Sequence, residues 1–454
     1  MSPESLLPDP SPFFMRVLEL GGGVAAAYTT RLFSEHGAEV IKVEPPGGDP
    51  LRNRTPFLQI KDGESTGGLF HALNVNKRSV TLNMAEASDR IELENLIAWA
   101  DILVHSLSTD EAETLNIDPE SVSTRWPALV VLSISPFGIS GPYRKFAAQA
   151  ITAANASGWA ALCPITFGEP EHPPLKVYGH HGSMMAATAA AMVGFATCRE
   201  AKRSGVGEHI DFSIQAYLAS LIEAGIPIYS YTGDILRRYH GHRSNPWLFC
   251  QTKDNPVLLM CVEEDQWQRL VEFIGEPDWT ALEVFNDRKA RVENQDLLHI
   301  LLQDFFAEWR ADELFHAAQA RRICCAPVLN YDQLSRDPHI LDRQLFTCLP
   351  DHPELPELMA SPILARGGRV RPRLPAPGLG QDSMQVLNTI NPRDSVPRQA
   401  PILPLAGVRG VDLTWVWAGP YGSMNLAHLG AEVIRIESAK RPDHFRRSPF
   451  YPDG

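Results

Sequence analysis

The sequence contains no run of 18 or more apolar residues, the length a helix needs to cross a bilayer, so no membrane span is expected. It has no excess of basic charge either. Its 41 Lys and Arg stand against 54 Asp and Glu, a formal net charge of −13, whereas a nucleic-acid binder should carry a basic face. The seven cysteines (163, 198, 250, 261, 324, 325 and 348) form no C-x-x-C pair and no ligand spacing with histidine, so no metal site is expected. Reduced thiols in a cytoplasmic protein are expected instead. The start, MSPESLLPDPSPFF, lacks the basic residues and apolar stretch of a secretory signal. A G-x-G-x-x-G fingerprint is also missing. The triplet Gly21–Gly23 has no third glycine where a dinucleotide site needs one for helix–strand packing.

What remains is an ordinary globular composition, 44% hydrophobic and 21% charged, over 454 residues, enough for two or more domains. The dominant feature is an internal repeat. Residues 16–57 align without a gap to 409–450 at an offset of 393, with 13 of 42 positions identical, against about 2 or 3 expected by chance. The shared block is GAEVI (Gly37–Ile41 and Gly430–Ile434), followed by Glu44 and Glu437. On this reading the chain holds one complete unit and the start of a second.

RVLEL predicts a strand, the Gly triplet a turn, Val24–His36 a helix and AEVIKVE a second strand, which together make a right-handed parallel βαβ unit. LNVNKRSVTLNM, ADILVHSL and PALVVLSIS continue the rhythm with helices between, so a doubly wound parallel sheet is expected. Around residue 230 the character changes to a hairpin with Asp254-Asn255 in its turn, then helices, a smaller α+β domain. The stretch 371–404 carries seven prolines, and its latter part has no apolar periodicity. The expected boundaries are a tail at 1–15, a large domain at 16–229, a small domain at 230–330, and a return segment at 331–387. A linker at 388–405 and a second copy from 406 to 454 complete the scheme.

In order along the chain, RVLEL, GAEVIKVEPPGGDPLR, LNVNKRSVTLN, SISPFGISGPY, SGVGEHIDFSI, APVLNYDQLSRDPH and PAPGLGQDSMQVL resemble the family III CoA-transferases, the CaiB/BaiF type. The resemblance covers residues 16 to about 387 and implies a Rossmann-like large domain, a small domain and two interlocking chains. It further implies transfer of CoA from an acyl-CoA to a small carboxylic acid through an aspartyl-CoA intermediate, with CoA as substrate and no permanently bound cofactor. A tandem chain would supply both links as an intramolecular pseudo-dimer; otherwise a homodimer is implied.

The departures from the family pattern are informative. The family's aspartate precedes an Ala-rich helix, and in PPLKVYGHHGSMMAATAAAMVGF that position falls on Ser183, with no carboxylate from 172 to 198. Ser183 is read as the N-cap of a helix Ser183–Arg199, because a hydroxyl without a base is a poor nucleophile. The loop HSLSTD has lost the amide and aromatic that contact CoA in the family, and the arginine beside them, and GGGVAAA replaces T-x-V-x-A-G-P. Gln149 and Ala150 stand where the racemase branch carries His-Asp. The second copy keeps more: VDLTWVWAGPY places Trp415, Val416, Trp417 and Ala418 along the expected CoA channel. Leu73, Lys77 and Arg78 are further expected CoA contacts, and Arg52, Arg54, Lys77, Arg78, Arg446 and Arg447 are available to phosphates. Arg54 and Arg447 stand at equivalent places. Asp211 is read as a structural hydrogen-bonding residue. The expected function is thus a CoA-transferase whose first copy lacks the catalytic Asp; the alternatives are a methylacyl-CoA racemase-like enzyme and a non-catalytic CoA-binding or scaffolding protein.

Overall fold

The computed structural model describes residues 14–59, 65–163, 173–175, 178–222, 225–237, 246–349, 351–365, 368–394, 396–440, 442–443 and 446. Short β-branched runs separated by helices give six parallel strands: β1 (Arg16–Leu20), β2 (Glu39–Glu44), β3 (Lys77–Thr81), β4 (Ile102–His105), β5 (Val130–Ser135) and β6 (His209–Ser213). Their order, β3-β2-β1-β4-β5-β6, reverses direction between β1 and β4, as in doubly wound nucleotide folds.

Because successive strand residues point to opposite faces, neighbours in sequence enter different cores. Val17, Val40, Ile102 and Leu132 pack with Phe33 of α1 (Val24–Glu35) and with Ala186, Ala190 and Ala191 of α2 (His181–Ser204). Leu18, Ile41, Val80 and Leu103 pack on the other face with Leu93, Leu96 and Ile97 of α3 (Ala87–Trp99). The long helix α2 approaches α1 closely because Gly194 has no side chain; a Cβ there would lie 2.9 Å from the Phe33 ring. The edge strand β3 does not face solvent bare. Its backbone N–H groups at Ser79 and Thr81 donate to the Asp382 carboxylate (2.8 Å) and the Ser383 hydroxyl (3.0 Å).

The chain divides into two compact units. One gathers the described residues of Met1–Cys163, Leu175–Leu236 and Leu345–Gly454, the other those of Pro164–Pro174 and Arg237–Gln344. The expected boundaries at 230 and 330 therefore shift to Arg237 and Gln344, since the short helices Tyr331–Ser335 and Pro338–Asp342 stay with the second unit. That unit is built on an antiparallel sheet. Trp247–Gln251 pairs with Pro256–Met260 around the expected Asp254-Asn255 turn, and Cys324–Pro327 joins the other side. Leu259, Trp267, Leu270, Leu302 and Phe306 form its core.

The repeated stretch forms its own strand–helix–strand unit: β7 (Arg409–Asp412), α4 (Ala418–His428) and β8 (Glu432–Arg435), with β7 and β8 parallel. Among the described residues no further strand pairs with either. No described helix is long and apolar enough to cross a membrane.

Candidate functional site

In an open parallel sheet, ligands bind outside the carboxyl ends of the strands where the strand order reverses. Here that point lies between β1 and β4, and the loops that follow them meet across it. The Ser106 hydroxyl donates to the Gly22 carbonyl. Gly21 has φ +80, and a Cβ on it would sit 2.9 Å from Ser106 Oγ and 3.3 Å from the Leu107 side chain. The glycine triplet thus lets the chain fold back on itself where a larger turn would collide. In this first unit the loops after β1 and β4 touch each other at the crevice.

Beneath it lies a buried set of charges. Lys42 Nζ reaches Glu19 Oε1 at 2.6 Å and Asp49 Oδ2 at 2.8 Å, and Thr30 donates its hydroxyl to Glu19 Oε2 at 2.6 Å. Burial alone would push the Glu19 carboxyl up, but the ammonium groups of Lys42 and Lys77 more than offset it and hold it near 2. Lys77 was expected to meet a CoA phosphate and does something else. Its Nζ donates to Glu19 Oε2 (2.9 Å), the Ala27 carbonyl (2.9 Å) and Asn74 Oδ1 (2.8 Å), all three ammonium hydrogens being used inside the protein. Burial pulls its pKa down to about 8, only partly countered by Glu19. The strand pleat is the cause: β3 turns Lys77 inward and Arg78 outward.

Arg78 is half-buried and donates to Glu39 Oε1 at 3.0 Å, with Asp382 at 4.0 Å. Leu73, expected to contact CoA, is instead 1% exposed and packed with Val24, Ala27, Leu51 and Phe70 in the core. Arg52 grips Glu44 with two 2.7 Å hydrogen bonds, stacks 3.9 Å over Phe70, and lines a cavity of about 320 Å³ with Asn53, Thr66 and Ala376–Leu379.

Ser183 is not an N-cap. The helix α2 begins at His181, with His180 as its cap, so Ser183 is the third residue of the first turn and 7% exposed. His181 directs its Nδ1 to the Tyr178 carbonyl. Gln149 stands at the start of the helix Ala150–Ala156, its backbone N–H donating to Thr152 Oγ1. Asp211 accepts from the Ile139 N–H (2.9 Å) and the Ser140 hydroxyl (3.1 Å), which fixes the loop after β5.

One cluster gave no sequence signal. Ser133 Oγ lies 2.7 Å from His105 Nε2 and 2.7 Å from His209 Nε2, joining three adjacent strands. The Leu107 N–H points at His105 Nδ1 (3.3 Å), which assigns the His105 proton to Nε2 and the Ser133 proton toward His209. Burial, with the neighbouring His209, pushes His105 down to about 3, and burial lowers His209 as well.

In the repeated unit, Trp415–Ala418 occupy the turn from β7 into α4, the place Gly22–Ala25 take after β1. Trp417 is the cap residue of α4 and Ala418 its first member. Val416 has φ +68, unusual for a β-branched residue, and its N–H donates to Asp443 Oδ2 at 3.0 Å. Asp443 also pairs with Arg435, and its own N–H donates to Glu437 (3.0 Å), which Arg446 holds at 2.8 Å. This mirrors Asp49, Glu44 and Arg52. Five steps separate Glu44 from Asp49 and six separate Glu437 from Asp443, so the repeat is not gapless: its geometry pairs Arg446 with Arg52, not Arg447 with Arg54. Arg447 itself lies outside the described residues.

The model of "CoA-transferase family III" matches residues 15–383 and again 405–453. The chain belongs to CoA-transferase family III. Among curated family relatives it is 30% identical over 374 residues to the succinyl-CoA:mesaconate CoA-transferase of Haloarcula hispanica, covering 80% of this chain and 91% of that protein. It is also 30% identical over 449 residues to a probable CoA-transferase of Mycobacterium tuberculosis, covering 95% of this chain and 54% of that one. The chain thus spans about half the length of the mycobacterial relative. A CaiB/BaiF family protein from Brucella suis shares the fold, with a TM-score of 0.74 at 23% identity over 84% of this chain and all of the other.

Proposed function

We propose that the chain is the N-terminal portion of a two-copy CoA-transferase that moves CoA from an acyl-CoA to a small carboxylic acid, and that its first copy does not perform the covalent step. The observation that carries this reading is Ser183, buried in the first turn of α2 where the family pattern puts its aspartate. The contact between the two crevice loops at Gly22 and Ser106 points the same way. Two separate stretches matching one family description, and a mycobacterial relative nearly twice as long, support the second copy. The name of the Haloarcula relative supports an acyl-CoA donor and a carboxylic acid acceptor.

In the proposed reaction an aspartate carboxylate attacks the thioester carbonyl, forming an acyl-aspartyl anhydride and expelling CoA thiolate. The thiolate attacks the aspartyl carbonyl, which releases the donor acid and leaves an aspartyl thioester. The acceptor carboxylate then displaces the thiolate, and the thiolate attacks the acceptor carbonyl to give the new acyl-CoA and free aspartate. A carboxylate suits these steps because it is ionised at neutral pH and forms an activated acyl derivative. A serine ester would return its acyl group to sulfur poorly, so Ser183 is not a substitute. Trp415–Ala418 are proposed to line the CoA channel of the second copy, and pairing of the copies to complete the site.

Incubation with succinyl-CoA, then hydroxylamine and peptide mass mapping, tests this. Residues 14–383 should remain unmodified, while a chain extended past Gly454 should be marked on an aspartate near 577, that is 183 plus the offset of 394 that holds from Asp443 on. A marked carboxylate within 14–383, or an extended chain with no aspartate in that place, sinks the reading.

A further inference from the structure

The proline-rich stretch between the two family-matching segments, the expected linker, makes a set of specific polar contacts. At its start, Arg393 enters the strand ends of the sheet: its backbone N–H donates to the Ala98 carbonyl (3.1 Å) and its Nη1 to the carbonyls of Ala100 (2.7 Å) and Ala128 (3.2 Å). Farther on, Val396–Pro404 runs past the C-terminal turn of α2. Arg203 is held by Glu200 through two hydrogen bonds (2.8 and 2.6 Å) and donates onward to Gln399 Oε1 (3.0 Å) and the Ala400 carbonyl (3.0 Å). Glu200, 5% exposed, also accepts from the Ile402 N–H at 3.0 Å. The Gln399 N–H donates to the Ser204 carbonyl (2.8 Å), and Arg199 reaches the Pro404 carbonyl (3.1 Å). Gly205, at φ +66, is needed for this approach, because a Cβ there would lie 2.6 Å from the Val396 carbonyl oxygen.

Most of these contacts address main-chain groups, and three prolines (397, 401 and 404) keep the stretch extended. An extended proline-rich segment loses little conformational freedom on docking, and charge-assisted hydrogen bonds are the stronger kind. At its far end the stretch is joined to the repeated unit: the Leu405 N–H donates to the Leu429 carbonyl (2.8 Å), and Tyr421 of α4 lies 3.4 Å from the Ser220 hydroxyl.

We infer that Val396–Pro404 is a docked strap, recognised through its backbone by Glu200 and Arg203, which fixes the repeated strand–helix–strand unit on the first copy. The C-terminal turn of α2 is its receptor. The same helix carries Ser183 in its first turn, about 30 Å from Arg203 along 20 residues at 1.5 Å each. The inference does not depend on the chemistry proposed above, since it concerns only how the repeated unit is held.

Trypsin acting on the native full chain tests it, because the Arg398–Gln399 bond lies within the strap. Cleavage there should be much slower than in a synthetic peptide of residues 391–408. Arg203→Ala should accelerate it about tenfold or more, since cleavage tracks the open population. Arg203→Lys, which keeps the charge but loses the planar fork, should fall between. Hydrogen exchange should find the Gln399 and Ile402 amides protected in the wild type and released in Arg203→Ala, with the urea midpoint of the sheet unchanged. Cleavage at the free-peptide rate in the wild type, unprotected amides, or no response to Arg203→Ala would each overturn the strap. Should Glu200→Ala fail to fold because that carboxylate is buried, the arginine variants still decide.

Discussion

In the first strand–helix–strand unit Glu19 accepts the Thr30 hydroxyl, Lys42 reaches Asp49, and Arg52 grips Glu44. In the second, Asp412 accepts the Ser423 hydroxyl, Arg435 reaches Asp443, and Arg446 grips Glu437. These three contacts recur, although Lys42 also pairs with Glu19 in the first unit, and the burial differs. Leu18 and Ile41 are 0% exposed, while their counterparts Val411 and Ile434 are 64% and 42% exposed. Burying an aliphatic side chain of this size is worth about 1.5–3 kcal/mol. The two units thus share the strand–turn–helix–strand path, and among the described residues what differs is the packing around it. The turn differs as well, with glycines folded onto Ser106 in one unit and a left-handed Val416 held by Asp443 in the other.

The largest expected difference is in the buried charges. Glu19→Ala leaves Lys77 buried without its carboxylate partner, and removing one member of a buried ion pair costs about 3–5 kcal/mol. Asp412→Ala releases only the hydroxyls of Thr414 and Ser423 and the Thr414 N–H, so the urea midpoint of the intact chain should barely move. Equal shifts in the two variants would break the comparison, because they would mean that both units draw on the same core.

Acid should also separate the units. His105 and His209 have pKa values lowered by burial, so between about pH 6.5 and the folded values the unfolded chain binds more protons than the folded one. Stability is full above pH 6.5 and falls as the pH drops through that window. A shift of His105 to about 3 implies a loss of at most about 3 kcal/mol by pH 4, read by urea titration at each pH. Asp412, held near 2 chiefly by the hydroxyls of Thr414 and Ser423, stays ionised throughout, so the second unit's wiring should persist. His105→Phe should flatten the slope; an unchanged slope would remove the histidines from the account.

How much of this was legible in the sequence depends on the range of the interaction. The GAEVI block and its flanking strands were readable because pleat and helix periodicities are local, and the position of Ser183 was readable from the Ala-rich helix after it. Lys77 was misread because an N-K-R run looks like a surface cation, whereas the pleat of a central sheet decides which of two neighbouring bases turns inward. The His105–Ser133–His209 cluster joins residues 28 and 76 positions apart, and no spacing rule reports a contact made only by strand register. The one-residue insertion before Asp443 was hidden by a chance match at Arg54 and Arg447, and only the hydrogen bonds of Arg52 and Arg446 correct it.

The smallest expected effect concerns the two turns and should differ in sign. Gly21 lies at φ +80 against Ser106, so Gly21→Ala combines a left-handed residue with a contact at 2.9 Å and should destabilise by about 1–2 kcal/mol. Val416 already occupies a left-handed conformation at φ +68. Val416→Gly removes the steric cost of its branched Cβ, about 1–2 kcal/mol, but adds freedom to the unfolded chain that takes back about 1 kcal/mol. The net change should lie between zero and about 1 kcal/mol of stabilisation, read as hydrogen-exchange protection of the α4 amides. A marked loss of protection would mean that the Val416 side chain packs productively, and that strain at this turn is not what distinguishes it from the glycine turn of the first unit.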